Sequence, residues 1–255
     1  MRSPHDLKLD RDTLARTLTG ARLFRAVDPE LVRTFVPHAS VHRLKHGEQF
    51  WQRGTMAEHF HVVLRGVLEL QRVALGSDST LVALFGPGES PAIPVTLEQR
   101  PYIADSFAAT ATLEVLRVRA RPVLDLLPVN AQLANAINRA LLDHCRLIHS
   151  KVDVLAAGTV SRRVAACLLD LTDRFGDEQE DGSHAVPFLL SRHQLATYVC
   201  ARVETVIRVM SSWQKQGIVL TQKDGFVIPS ITRLRDVLRE PEPKAAAAGD
   251  EILPQ

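Results

Sequence analysis

Apolar and polar positions along this chain fall into three regimes. From Leu23 to about Arg119, short apolar runs recur between glycines at Gly47, Gly54, Gly66, Gly76, Gly86 and Gly88. Runs of that length at roughly ten-residue intervals predict antiparallel strands over Glu48–Gln52, His59–Leu64, Val67–Val73, Leu81–Phe85, Ala104–Ala109 and Leu113–Val118, closing into a barrel or jelly roll. A short helix from Glu30 to Val36, after the Asp28-Pro29 turn, and a first strand following it precede them. From Arg121 the period becomes helical, and one long helix is predicted from Val123 to Leu155. Its positions Ile137, Leu141, His144, Ile148 and Leu155 follow a narrow seam of the kind that pairs with another helix, or that lies along the chain's own roll. Gly158 interrupts the pattern, and Thr159 or Ser161 can cap the next helix, Arg162–Phe175. The stretch GDEQEDGSHAVP reads as an acidic loop.

The third regime is Leu190 to Gly217. Ser191 and Gln194 form a capping-box pattern, and Leu195, Ala196 and Val199 give a first short helix its apolar side. After Cys200-Ala201-Arg202, the residues Val203, Val206, Met210 and Trp213 recur at helical spacing. Gly217 ends that helix. Ile218–Leu220 and Phe226–Ile228 then flank Lys223-Asp224-Gly225, a hairpin signal. Two helices and a hairpin make a winged helix-turn-helix, so the predicted class is α+β. The expected organisation is a 1–20 tail that is in part a short helix, a 21–120 roll, a 121–157 long helix, a 158–240 winged helix and a disordered 241–255 tail.

This pattern has a chemistry. Arg208 can present two donors to guanine O6 and N7, and Glu204 can accept from cytosine N4. Four residues apart, they share one side of the helix; they could equally form a surface ion pair. Val203 joins them as a base-reading candidate, and Ser191, Arg192, Arg202, Thr205 and Lys223 are candidates for backbone or flanking contacts.

The segment RVETVIRVMSSWQKQGIV resembles the recognition helix of the CRP/FNR superfamily of bacterial transcription regulators, with a V-E-T-x-x-R string closer to the FNR and nitric-oxide-responsive branches. The order G-E-x-F-W-x-x-G, eleven residues, then Gly66 resembles that superfamily's cyclic-nucleotide-binding-like roll. The resemblance implies that Val203, Glu204 and Arg208 read bases, while Ile207 falls where FNR has a base-contacting serine. It further implies that the long helix is the axis of a homodimer on an inverted repeat with a TGA-like half-site. RNA polymerase is an expected partner if the chain activates.

Composition adds bounds. The 255 residues carry 31 Lys+Arg against 29 Asp+Glu, a net +2 that by itself does not suggest nucleic acid. No run of 18 apolar residues occurs and residues 1–20 are charged, so neither a membrane span nor a signal peptide is expected. Cys145, Cys167 and Cys200 are scattered, so a reducing, cytoplasmic setting is expected. Cys167 and Cys200 read as core residues, and Cys145 as a candidate redox switch.

What the roll senses is the least legible feature. His61, Glu89, Ile93 and Tyr102 are the candidate effector pocket. In cyclic-nucleotide-binding relatives a Gly-Glu pair and an Arg-Ser/Thr pair hold the ligand. Here they fall on Ala92-Ile93 and Tyr102-Ile103, and neither supplies the cation a cyclic phosphate needs, so cyclic AMP is not expected. An iron–sulfur cluster is excluded by the lack of N-terminal cysteines. Haem stays open, with His61 and His144 as ligands. A metal-dependent cupin-like enzyme using His59, His61 and Glu69 or Glu89 is the competing class, but it lacks a later barrel histidine.

Overall fold

The structure, a computed structural model, describes residues 5–73, 79–223 and 225–239. Gly76, Asp224 and the 241–255 tail lie outside the described residues.

The chain opens with strand β1 (His5–Leu7) and helix α1 (Arg11–Gly20), whose start is capped by Asp10. Helix α1 lies in the stretch expected to hold a short helix, and β1, which was not expected, pairs with β2. Helix α2 (Pro29–Arg33) and a 3-10 turn follow, and then β2 (Ala39–Lys45), β3 (Gln49–Trp51), β4 (His59–Arg65), β5 (Leu68–Val73) and β6 (Ser79–Phe85). Helix α3 (Ile93–Leu97) precedes β7 (Asp105–Ala108) and β8 (Thr112–Arg119).

These strands form two antiparallel four-stranded sheets, β1-β2-β8-β4 and β3-β7-β5-β6. Leu44, Val63, Leu113 and Val115 of the first meet Trp51, Leu68 and Phe85 of the second in a shared interior. The alternate positions Val41, Phe60, Val62, Leu116 and Val118 pack instead under Leu18, Phe24, Val32 and Phe35. Because both strands bury side chains on both faces, strict alternation is lost: Val62-Val63 of β4 and Val115-Leu116 of β8 are buried in succession.

The predicted single long helix is two: α4 (Ala120–Leu126) and α5 (Ala131–Ala156). Pro128 lacks an N–H and cannot continue a helix, and Asn130 restarts one by accepting from Leu133 N at 2.8 Å. The predicted seam also divides. Ile137 is buried in the roll-side core, Leu141 packs against it, and His144 stacks on Phe85 with centroids 6.4 Å apart. Only Ile148 and Leu155 stay exposed, and Leu142 and Val152 join them in the outward apolar stripe. The predicted seam is thus covered by the roll over its first half and open over its second, where Ile148 and Leu155 stay exposed.

Gly158, at φ 92°, makes the bend, and Thr159 caps α6 (Val160–Phe175). The acidic loop contains β9 (Asp177–Glu178) and β10 (His184–Val186). Then come α7 (Arg192–Tyr198), α8 (Val203–Gln216), β11 (Leu220–Gln222), β12 (Gly225–Ile228) and α9 (Ile231–Arg239). The wing is thus a four-stranded sheet, β11-β12-β10-β9. It depends on Gly225, where a Cβ would lie 1.9 Å from Val186 O. Helix α9 escaped the sequence reading, although Leu234 and Val237 are buried in the same core as α6 and α8.

Candidate nucleic-acid interface and sensor region

Helix α7 begins with a complete capping box. Ser191 Oγ accepts from Gln194 N at 3.0 Å, and Gln194 Oε1 accepts from Ser191 N at 2.9 Å. The turn that follows places Cys200 at φ 50°, and Arg163 of α6 holds it by donating to the carbonyls of Val199 (2.6 Å) and Cys200 (2.8 Å). Helix α8 is then anchored by Val206, Met210 and Trp213, side chains whose full burial is worth about 1.5–3 kcal/mol each for the aliphatic ones. Its opposite side carries Glu204, Ile207 and Arg208, all exposed.

Among the described residues Glu204 and Arg208 make no ion pair with each other; Arg208 Nη2 instead lies 3.5 Å from the Thr205 hydroxyl. Val203 packs partly on the core, Arg202 is the N-cap residue without a side-chain cap bond, and Lys223 is exposed at the wing turn. Arg192 is committed elsewhere: its guanidinium donates to Thr221 Oγ at 2.8 Å, tying α7 to the wing.

Two positioning residues were missed in the sequence. Arg163 is one. The other is Arg233 of α9, which donates to the carbonyls of Gln216 (3.0 Å) and Gly217 (3.4 Å). It thereby satisfies orphan acceptors at the C-terminal end of α8, where a cation is also favoured. No motif announces either arginine; the amphipathic spacing of Ile231, Leu234 and Val237 was the available signal for α9 itself.

Residues 162–237 match the Crp-like helix-turn-helix domain family. The transcriptional activator protein FnrA of Stutzerimonas stutzeri is 27% identical over 193 residues, covering 74% of this chain and 76% of FnrA. The cyclic AMP receptor protein of Thermus thermophilus is 25% identical over 202 residues, 79% of this chain and 89% of that protein. These matches support a transcription regulator of the CRP/FNR type, with the Crp-like helix-turn-helix domain itself at residues 162–237. The chain is a DNA-binding transcription regulator. Among solved structures, FixK2 of Bradyrhizobium japonicum shares the fold at a TM-score of 0.64 and 21% identity, covering 78% of this chain and 96% of FixK2. A CRP-family regulator of Thermus thermophilus does so at 0.65 and 18%, covering 80% and 99%.

In this regulator the DNA-binding part is fastened to the roll. Gln194 Nε2 donates to Glu69 Oε2 at 3.0 Å, Leu81 N donates to Thr197 Oγ at 3.3 Å, and Arg174 reaches Leu84 O at 2.6 Å and Glu89 at 3.0 Å. Lys151 of α5 donates to Tyr198 O and lies over the Tyr198 ring; burial lowers its pKa to about 8. Burial also raises the Glu69 carboxyl, against the bond from Gln71.

The four predicted effector residues are not one pocket. His61 Nε2 and Tyr102 Oη lie 2.9 Å apart. Ile93 is a core residue beneath α1 and α5, and Glu89 belongs to the pairing with Arg174. The reason is local: α3 turns Ile93 inward, and the Gly88 turn points Glu89 at α6. His61 does not suit haem, since Tyr102 takes one ring nitrogen and Trp51 stacks on the ring at 4.9 Å. His144, stacked on Phe85, is no better placed. Among the described residues no three His, Cys, Asp or Glu side chains are grouped to hold a metal. Cys167 is buried, its thiol pushed up to about 12 by desolvation. Cys200, expected in the core, is exposed because the αL turn swings it outward.

Proposed function

We propose that this regulator reads an inverted repeat as a homodimer, each α8 entering a major groove with Arg208 on a guanine and Glu204 on the complementary-strand cytosine of a TGA-like half-site. The observation that carries this reading is the exposure of Glu204 and Arg208, unpaired with each other, on a helix whose other side is locked by Val206, Met210 and Trp213. A surface ion pair, the competing reading of the same spacing, would have joined them. Val203, Arg202, Thr205, Ser191 and Lys223 flank the contact, with Lys223 on the wing reaching the backbone. A second copy covers the outward stripe Leu142, Ile148, Val152 and Leu155, which sets the two recognition helices about 34 Å apart, one turn of duplex. The roll takes a small effector and the fastened interface passes its state to α6–α8. RNA polymerase is the further partner if the regulator activates, and the setting is cytoplasmic.

The test is fluorescence anisotropy on duplexes carrying a TGA-type inverted repeat and on shuffled duplexes. Arg208→Ala is expected to lose about 1–3 kcal/mol of preference per half-site while retaining weak, salt-sensitive binding. Undiminished preference in that variant would remove the assignment of α8 as the reading helix.

A further inference from the structure

The interior face of sheet β1-β2-β8-β4 changes character along its strands. Leu44, Val63, Leu113 and Val115 fill one end with aliphatic carbon. Towards the other end the same face carries His42, His61 and Arg117, with His59 beside them. Arg117 pairs in register with His61 on one side and Ser40 on the other. Opposite lie Phe50, Trp51 and Tyr102, with the Trp51 ring stacked on Tyr102 at 4.6 Å and on His61 at 4.9 Å. Between them is a cavity of about 330 Å³ open to solvent.

Two features of this cavity are costly without a ligand. Arg117 is half-buried, yet its guanidinium meets a neutral group, His59 Nε2, at 2.9 Å. Among the described residues no carboxylate pairs with it; Asp6 and Glu58 act only at longer range. Desolvation first, and Arg117 second, hold His59 near pKa 4, so the histidine brings no counter-charge. The second feature is His61: one ring nitrogen bonds Tyr102, and Nδ1 is buried without a partner. Buried charges and polar atoms are normally matched. A ligand oxygen acceptor would match the charge on Arg117.

We propose that this cavity binds a small aromatic carboxylate, its ring against Phe50, Trp51 and Tyr102 and its carboxylate at Arg117. The volume is near the lower limit for ligand sites, about 300 Å³, which excludes a dinucleotide or a macrocycle. One guanidinium calls for one negative charge, and exposed Glu58 on the rim repels a second. No residue of α5 lines the cavity. This assignment rests on reading the roll as the sensor and names the chemistry it senses.

The experiment follows Trp51 emission in a Trp213→Phe background while benzoate, 4-hydroxybenzoate or uncharged benzyl alcohol is added, with no DNA present. Benzoate or 4-hydroxybenzoate is expected to give a saturable change, benzyl alcohol a response weaker by about tenfold or more, and Arg117→Gln a similar loss. Glu58→Gln is expected to tighten binding, and it keeps the question decidable if Arg117→Gln melts early. Absence of saturation with both acids up to millimolar concentration overturns the proposal. So does equal binding of benzyl alcohol, equal binding in a folded Arg117→Gln variant, or an unchanged affinity in Glu58→Gln. DNA reading is measured separately, so the two readings fail independently.

Discussion

Arg174 of α6 and Glu89 of the turn after β6 meet at 3.0 Å, joining the DNA-binding part to the roll. Each is held from behind: Gly86 N donates to Glu89 Oε2 at 2.7 Å, and Asp170 Oδ2 lies 3.4 Å from Arg174 Nη1. Both side chains are mostly buried, so losing one partner strands a charge on the other. Arg174→Met is expected to lower urea stability by about 1–3 kcal/mol and to speed limited proteolysis at the Ala157–Thr159 bend. An unchanged cleavage rate would mean that the apolar contacts alone hold the two parts together.

Close approach supports the same junction. A Cβ on Gly86 would lie 2.5 Å from the Phe175 ring. Gly86→Ala therefore forces the ring or the turn to move, at a cost of about 1–3 kcal/mol. In a double-mutant cycle with Phe175→Leu, calorimetry should show coupling, because the two groups touch; strict additivity would contradict the packing described.

The outward stripe of α5 predicts the oligomeric state. Val152→Glu places a charge in the middle of that stripe, so sedimentation velocity should show monomers where the parent chain sediments as a dimer. An equivalent change on the roll-facing side, Ile137→Glu, should unfold the roll instead. A dimer that tolerates Val152→Glu would place the two-fold contact elsewhere.

Acid should weaken the fold. His42, His59, His61 and His144 all have pKa values below the ordinary 6.5, with desolvation the first cause in each. The unfolded chain therefore binds more protons than the folded one below that pH, so stability is full above about 6.5 and falls on acidification towards the His59 value of about 4. Urea midpoints at pH 7 and pH 5 measure it; a flat profile would show that these histidines stay hydrated.

The helix-turn-helix was the most legible part of the chain because its signals are local: Ser191 with Gln194, the Val206–Met210–Trp213 spacing, and Gly217. Strands β3 to β8 and the β11–β12 hairpin were legible too, each bounded by its turn, whereas β1, β9 and β10, short and paired only with distant segments, were not. The seam on α5 was legible as a stripe, but not which of its two expected covers each residue meets: the roll takes Ile137, Leu141 and His144, and Ile148 and Leu155 stay exposed. Both faces of that helix are apolar, and periodicity reports a stripe without saying whether a roll or a second chain covers it. The break at Pro128 was readable in principle and was overridden by the pattern on either side. Arg163, Arg233 and Arg117 were not legible at all, since an arginine acquires its role from carbonyls, rings and missing counter-charges supplied by distant segments.

Along α5 one rod serves two surroundings. Ile137, Leu141 and His144 touch the roll, and Leu142, Ile148, Val152 and Leu155 are turned to solvent. A rotation of the rod that re-seats His144 against Phe85 turns the outward stripe by the same angle, without any intervening part. On the proposed reading the helix is thus both the gauge and its pointer: over 26 residues, about 39 Å, a small twist at the roll would be displayed at the bend where the DNA-reading half begins.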